Sequence, residues 1–333
     1  MTTETETEAP PSKALLILPR LRVQNANTIS SPMTWGFPAI TAFTGLMTAL
    51  ERRVGRDAGM AFYGVGVVCH GFEPQVTRGG YTRSFHLTRN PVSSDGSTAA
   101  IVEEGRAHLD ITLIFDVELT GSPLSDSERA DLAARIGELV AGMRIAGGSV
   151  MPPLPGVPQR PARAQLRLLP DDAEARVKEF RRLSRRWLPG FALVSRDGLL
   201  QTRLAALRER DPQASALNAW LDLSRLNHRA ERRTSVDDRT GDATESIVWQ
   251  TDQRPGWIVP MPVGYAALSE LHDAGSVAGA RDGRVPFRFV ESVYSLGQWI
   301  SPHRLNDVTD LIWSPMYDAK TGLYRCVNEF QGV

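Results

Sequence analysis

His70, His86 and His108 are three of the six histidines, side chains that could move protons near neutral pH. One of them taking a proton and another giving one would serve a metal-independent endoribonuclease. Their neighbourhoods support a plainer use as well. His108 falls on the polar side of an alternating stretch and His70 at the end of an apolar one, where histidines are commonly hydrogen-bonded fixtures. The sequence has no P-loop, HExxH, GxSxG or dinucleotide fingerprint. Its two cysteines, Cys69 and Cys326, make neither a zinc spacing nor a disulfide framework, which fits a reducing compartment. Nothing in these residues calls for a metal or a cofactor.

A second set of residues suits anions. Arg20 and Arg22 precede QNANTISS, which supplies Gln24, Asn25, Asn27, Ser30 and Ser31 just before a segment of helical period. Amide and hydroxyl groups next to free helix N–H groups can hold phosphate; the same residues also make ordinary turns and caps. Gly147-Gly148-Ser149 presents a similar choice between a backbone nest for phosphate and a helix stop. Between Glu73 and Gly105 lies a polar stretch carrying Arg78, Tyr81, Arg83, Phe85, His86, Arg89 and Asn90. It is too long for a hairpin turn and reads as an excursion with a function. Arg181, Arg182, Arg185 and Arg186 form either a nucleic-acid patch or a solvated helix face.

Charge sharpens this set. The chain is neutral overall, yet its cations are 35 Arg and 3 Lys. Arginine's planar fork matches phosphate, although a GC-rich genome gives the same bias. From Arg176 to Arg233 there are 14 basic and 6 acidic residues, whereas from Asp237 onward there are 8 and 13. Such a chain can meet nucleic acid in one region and proteins in another. No apolar run reaches the length of a membrane span, and the acidic start MTTETETEAPPSK is no signal peptide, so a cytoplasmic protein is expected.

The elements that must position these residues follow from hydrophobic period. Leu15–Val23 reads as a strand, Ile40–Val54 as a helix stopped by Gly55, and Met60–Phe72 as a strand. In RAHLDITLIFDVEL the residues Leu109, Ile111, Leu113, Phe115 and Val117 alternate with His108, Asp110, Thr112, Asp116 and Glu118, which predicts a strand with one buried face. Ser125 and Glu128 make a capping box for a helix with Leu132, Ile136, Val140 and Met143 on one side, ending at Gly147-Gly148. The order β-α-β-β-α-β is the ferredoxin-like plan of RNA-recognition folds. Pro19 resists it, since a proline in a central strand needs a bulge or a break. The expected class is α+β: a ferredoxin-like (RRM/RAMP-type) domain with a thumb-like insertion and an added helical region. Its parts are a disordered tail at 1–13, a core at 14–151 with the insertion at 72–100, and a Pro-rich connector at 152–170. A basic helical region at 171–246, with a mobile loop at 229–246, and a C-terminal mixed segment at 247–333 complete it. NDVTDLIW near the end reads as helical. RNA-recognition folds stack bases on central-strand aromatics, but here Asp110, Asp116 and Glu118 would repel phosphate, which moves any RNA contact to the loops.

The stretches ILPRLRVQNANTISSPMTWGFP, HLTRNP, DGSTAAIVEEGRAHL, MRIAGGS, RRWLPGFALVSR, GWIVPMPVGYAALS and RFVESVYSLGQWISPHR closely resemble, in order, the Csy-two family, the Cas-five-type subunit of type I-F CRISPR surveillance complexes. The likeness runs from about Leu15 to Arg325 and departs in the N-terminal tail, the Pro-rich connector and the Arg229–Ser246 stretch. The resemblance implies a non-catalytic subunit that grips the 5′ handle of the CRISPR RNA. It implies partners as well: a large Csy-one-type subunit, a backbone Csy-three-type subunit, and target DNA entering nearby. RNA contact is assigned on that basis to Arg20, Arg22, Gln24, Asn25, Asn27, Ser30, Ser31, Arg78, Arg83, Phe85, His86, Arg89, Asn90, Gly147, Gly148 and Ser149. The competing expectations are an endoribonuclease acting on CRISPR repeat RNA and a protein-only assembly adaptor.

Overall fold

A computed structural model describes residues 11–55, 59–89, 92–152, 163–236, 243–254 and 256–332. Asn90 lies outside the described residues, as do 1–10 of the expected tail, 153–162 of the expected connector and 237–242 of the stretch expected to be mobile.

The chain opens with β1 (Ser12–Asn27), α1 (Ile40–Val54) and β2 (Met60–Pro74). Ala14 to Leu18 is buried on both faces, so no alternation shows there. Pro19 is accommodated as the sequence requires: the pairing of β1 slips between Leu18 and Leu21, and Arg20 takes φ 52° at the bulge. Two small hairpins follow, β3 (Val76–Gly79) with β4 (Thr82–Phe85) and β5 (Leu87–Arg89) with β6 (Ile101–Glu103), each a separate two-stranded sheet. β7 (Arg106–Leu119) returns to the main sheet. Ser125 and Glu128 close the expected capping box on α2 (Asp126–Ala141). That helix ends at its C-cap Gly142 and not at Gly147-Gly148; Met143 continues the buried stripe from beyond the helix end, so the period in the sequence outruns the helix. The two glycines instead belong to the hairpin of β8 (Arg144–Ile145) and β9 (Gly148–Met151). Ala146 and Gly147 sit at φ 48° and 79°, as a two-residue primed turn demands.

In the sheet these strands run in the order β2-β7-β1-β9-β8, all antiparallel neighbours. α1 connects β1 to β2 and α2 connects β7 to the β8–β9 hairpin. Both helices pack one face, where Phe43, Leu50, Ile136 and Val140 meet Leu16, Leu18, Leu113 and Phe115.

The other face corrects the expectation for β7. It is not polar throughout: Thr112 and Ile114 are buried, and Ile114 joins Leu15, Ile17 and Val68 in a second core. After β10 (Gln165–Leu168), which pairs with β1, this core is roofed by α3 (Ala173–Ser184) through Phe180 and Leu183, and by Trp187. Both faces are therefore covered in the middle of the sheet.

The remaining elements are β11 (Phe191–Ser195), α4 (Asp197–Arg208), α5 (Ala216–Ser224), β12 (His228–Val236), β13 (Ala243–Thr251), β14 (Trp257–Ala267), β15 (Val290–Ile300), β16 (Trp313–Asp318) and β17 (Leu323–Asn328). β11, β15, β14, β17 and β16 pair in succession, and both ends of that series dock on the same edge of β2. Ala192 stands opposite Val68, and Trp313 opposite Val65. The C-terminal half thus closes a ring of strands on the N-terminal sheet. One expectation fails here, and another stretch takes a paired form. Over its described residues, the stretch expected to be mobile pairs as the β12–β13 ribbon. NDVTDLIW forms no helix; Val308, Leu311 and Ile312 drop into the second core from a turn closed by Asp310. The result is a mixed α/β fold with a large antiparallel sheet and few helices.

Candidate nucleic-acid interface

Antiparallel pairing brings the ends of β1 and β2 and the beginnings of β7 and β9 to one end of the sheet. There Gln24 faces Ser149, Asn27 faces Arg106, and Pro74 faces Ala107. Backbone bonds fasten the strands together. Asn27 N–H donates to Ala146 O at 2.8 Å, Thr28 N–H to Gly105 O at 2.9 Å, and Gln75 N–H to Arg106 O at 2.8 Å. Gly148 permits the closest approach: a Cβ there would fall 2.6 Å from Gln24 O and 2.8 Å from Ala26 N. The QNAN stretch and the GGS turn, far apart in sequence, are one surface.

Asn25 occupies a second bulge in β1, at φ 60°. Its side-chain oxygen accepts from Gln75 Nε2 at 2.5 Å, its N–H lies 3.4 Å from His108 Nδ1, and Gln75 Nε2 is 3.3 Å from His108 Nε2. Gln24, Asn25 and Ser149 are exposed beside this cluster. Gln75 was missed in the sequence because it is a lone amide in a polar stretch. Arg144, which donates to Gly147 O at 3.1 Å, was hidden by the misplaced helix end.

Other expected residues serve the loop itself. The Asn27 carboxamide accepts from Ile29 N–H at 3.1 Å and donates to Ile29 O at 2.8 Å, fixing the turn. Ser30 Oγ accepts from Ala39 N–H at 3.0 Å at the entry to α1, and the Ser31 and Thr34 hydroxyls lie 2.7 Å apart. Ser30 and Ser31 thus do what turn-and-cap residues do.

Behind this loop lies a cavity of about 110 Å³, bounded by Thr28, Trp35, Phe37, Met261 and Trp299. Thr28 Oγ1 is buried there without a hydrogen-bond partner among the described residues. The cavity joins three motifs separated in sequence, TISSPMTWGFP, WIVPMPVG and SLGQWIS. Trp35 is half exposed at its mouth, and the Phe85 ring meets it edge-on at 5.8 Å. Phe85 therefore docks the β3–β4 hairpin against the loop. Arg78 and Arg83 stand opposite each other across that hairpin, exposed, and with Arg89 they make no ion pair among the described residues. His86, between the two hairpins, accepts the Glu104 N–H on its carbonyl at 3.4 Å.

Arg20 and Arg22 are not part of the loop cluster. Arg20 Nη1 pairs with Asp110 at 2.9 Å, and Arg22 Nη1 reaches Pro152 O at 3.5 Å. His70 lies near Arg20, its Nδ1 2.7 Å from Pro189 O and its Nε2 2.8 Å from Thr112 Oγ1. Burial, helped by the charge of Arg20, holds His70 below the usual histidine range against the Pro189 bond and Asp110. Both its ring nitrogens are engaged. Among the described residues no group of three or more His, Cys, Asp or Glu side chains is arranged to hold a metal ion.

The family description "CRISPR-associated protein (Cas_Csy2)" matches residues 16–326. The chain belongs to the Csy2 family of CRISPR-associated proteins. It is 47% identical over 321 residues, 94% of each chain, to CRISPR-associated protein Csy2 of Pseudomonas aeruginosa (strain UCBPP-PA14). This agrees with the type I-F family that the motifs resemble. The Csy2-family match starts inside β1 and ends inside β17, so it covers the sheet end, both hairpins and the closed ring of strands. No described helix in this Csy2-family chain is long and apolar enough to cross a membrane.

Proposed function

We propose that this chain is a non-catalytic subunit of a CRISPR RNA-guided complex, holding the 5′ handle of the CRISPR RNA on the sheet end. The observation that carries the reading is the convergence of Gln24, Asn25, Gln75, His108 and Gly147–Ser149 at one end of the sheet, where the chain runs from Gln75 straight into the β3–β4 hairpin with its exposed Arg78 and Arg83. Amides reach base edges and phosphates, guanidinium groups reach phosphates, and Trp35 offers a half-exposed ring for stacking. The strand order β2-β7-β1-β9, with both crossover helices on one face, supports a ferredoxin-like core of the RAMP type. The two hairpins between β2 and β7 then take the part of a thumb over the RNA. Sequence reading in such assemblies falls to base pairing, which leaves the protein to hold backbone shape and handle. A large Csy-one-type subunit, a Csy-three-type backbone subunit and nearby target DNA are the partners this role requires.

Nuclease footprinting tests the role: handle nucleotides should be protected in the assembled complex and lose protection when Gln24, Asn25 and Gln75 are changed together to Ala. Equal protection would move the handle elsewhere. The non-catalytic part is tested by incubating the pure chain with repeat RNA in EDTA. No discrete cut is expected; a cut abolished by His70→Ala or His108→Ala would reverse the assignment.

A further inference from the structure

A cluster of arginines lies at the foot of the β12–β13 ribbon and shares no residue with the sheet end. A cavity of about 300 Å³ opens between α4, α5 and the ribbon. Arg203, Arg210, Arg229 and Arg254 line it, against two carboxylates, Asp222 and Asp252. The carboxylates are already committed. Arg203 Nε donates to Asp222 at 2.5 Å, Arg229 Nη2 to Asp252 at 3.0 Å, and Asn227 Nδ2 lies 3.2 Å from Asp222 and 3.4 Å from Asp252. Arg225 adds a contact to Asp222 at 3.6 Å. Arg210 and Arg254 form no ion pair among the described residues. Arg254 Nη2 is buried and has no hydrogen-bond partner among the described residues.

A buried guanidinium nitrogen without an acceptor is unfavourable unless an acceptor arrives from outside. The lining carries four positive and two negative side chains, so the arriving group must be an anion. Planar guanidinium forks suit a tetrahedral oxyanion, and a cavity of this volume admits a phosphate. The excess of arginine between Arg176 and Arg233 supplies three of the four cations. Arg229 and Arg233 share one face of the ribbon with Glu231 between them, so beyond the cavity the charge along β12 alternates in sign.

We infer that this cavity is a phosphate-type oxyanion site, with Arg210 and Arg254 as its free ligands. The source is either free phosphate or one phosphodiester of a nucleic-acid strand lying along the ribbon. The test uses the full chain and the double variant Arg210→Gln, Arg254→Gln, which leaves every ion pair above in place. Inorganic phosphate should raise the wild-type Tm in a saturable way, and the double variant should need at least tenfold more phosphate for the same rise. A homopolymeric oligonucleotide without handle sequence forms the second arm. If the strand is the source, log affinity against log salt becomes shallower by about one unit in the variant, the release expected from one phosphate contact. If only the phosphate response is lost, the source is the free anion; both results support the site. Should the double variant fold poorly, Arg210→Gln alone, at an exposed position, is expected to weaken the phosphate response at least threefold. Phosphate affinity within twofold of wild type in the folded variant, with an unchanged salt slope, would overturn the inference.

Discussion

Gly148 shows how much of the sheet end rests on one backbone contact. A methyl at this position meets the Gln24 carbonyl and the Ala26 nitrogen, and backbone atoms paired in a sheet yield little. Gly148→Ala should therefore destabilise the protein by about 1–3 kcal/mol and loosen the β8–β9 hairpin, seen as faster amide exchange there. Unchanged exchange and Tm would contradict so close an approach. Asn27→Ala should lower Tm through the lost turn bonds, whereas Asn25→Ala, exposed in its bulge, should change RNA retention more than Tm. The residue types of this site were legible in the sequence. The division between surface and scaffold was not, because Asn25 and Asn27 differ only in the backbone beneath them. His70 gives a pH test. Its folded value lies below its unfolded value, so the unfolded chain binds more protons in the window beneath about pH 6.5. Its contribution is fully present above that pH and is lost as pH falls through the window. Tm should drop between pH 7 and 5.5 more steeply in wild type than in His70→Gln; parallel curves would contradict this.

At the scale of elements, the β3–β4 hairpin is the most informative. Like charges directly opposite on a two-stranded ribbon repel, so Arg78 against Arg83 is unfavourable in isolation. Two phosphates of an RNA strand, one at each guanidinium, would relieve that repulsion. Arg78→Ala with Arg83→Ala should weaken binding of handle RNA and make its salt dependence shallower by about two units. Phe85→Ala should weaken binding with the slope nearly unchanged, since it releases no counterions while undocking the hairpin from Trp35. An unaltered slope in the double arginine variant would reassign the hairpin to a protein interface. Why did the sequence disclose some elements and not others? α1, α2 and β7 bury apolar stripes at regular spacing, so their periods are visible. The β12–β13 ribbon is exposed at most of its described side chains, with only Val248 and Gln250 half-buried on one face, and therefore carries almost no period to read. NDVTDLIW has the spacing of a helix, yet its apolar residues fill a core from a turn.

For the whole molecule, the closed ring of strands ties the halves together. Trp313 is buried beside β2, and its Nε1 donates to Leu193 O on β11 at 2.8 Å, joining both ends of the C-terminal series. Trp313→Phe leaves that carbonyl short of a donor and should cost about 1–3 kcal/mol. Because one sheet runs through both halves, unfolding should remain a single transition, with far-ultraviolet dichroism and fluorescence coinciding in denaturant. Separate transitions would contradict a shared core. This closure was invisible in the sequence, since Pro260 and Pro262 interrupt β14 and pairing partners such as Val68 and Ala192 lie far apart. The central claim is that the sheet end holds the CRISPR RNA handle, and site-resolved photocrosslinking of handle nucleotides in the assembled complex tests it most directly. The account predicts crosslinked peptides containing Gln24 to Phe37, Val76 to Arg89 and Gly147 to Ser149. Handle crosslinks that map to this chain but avoid all three segments would contradict it.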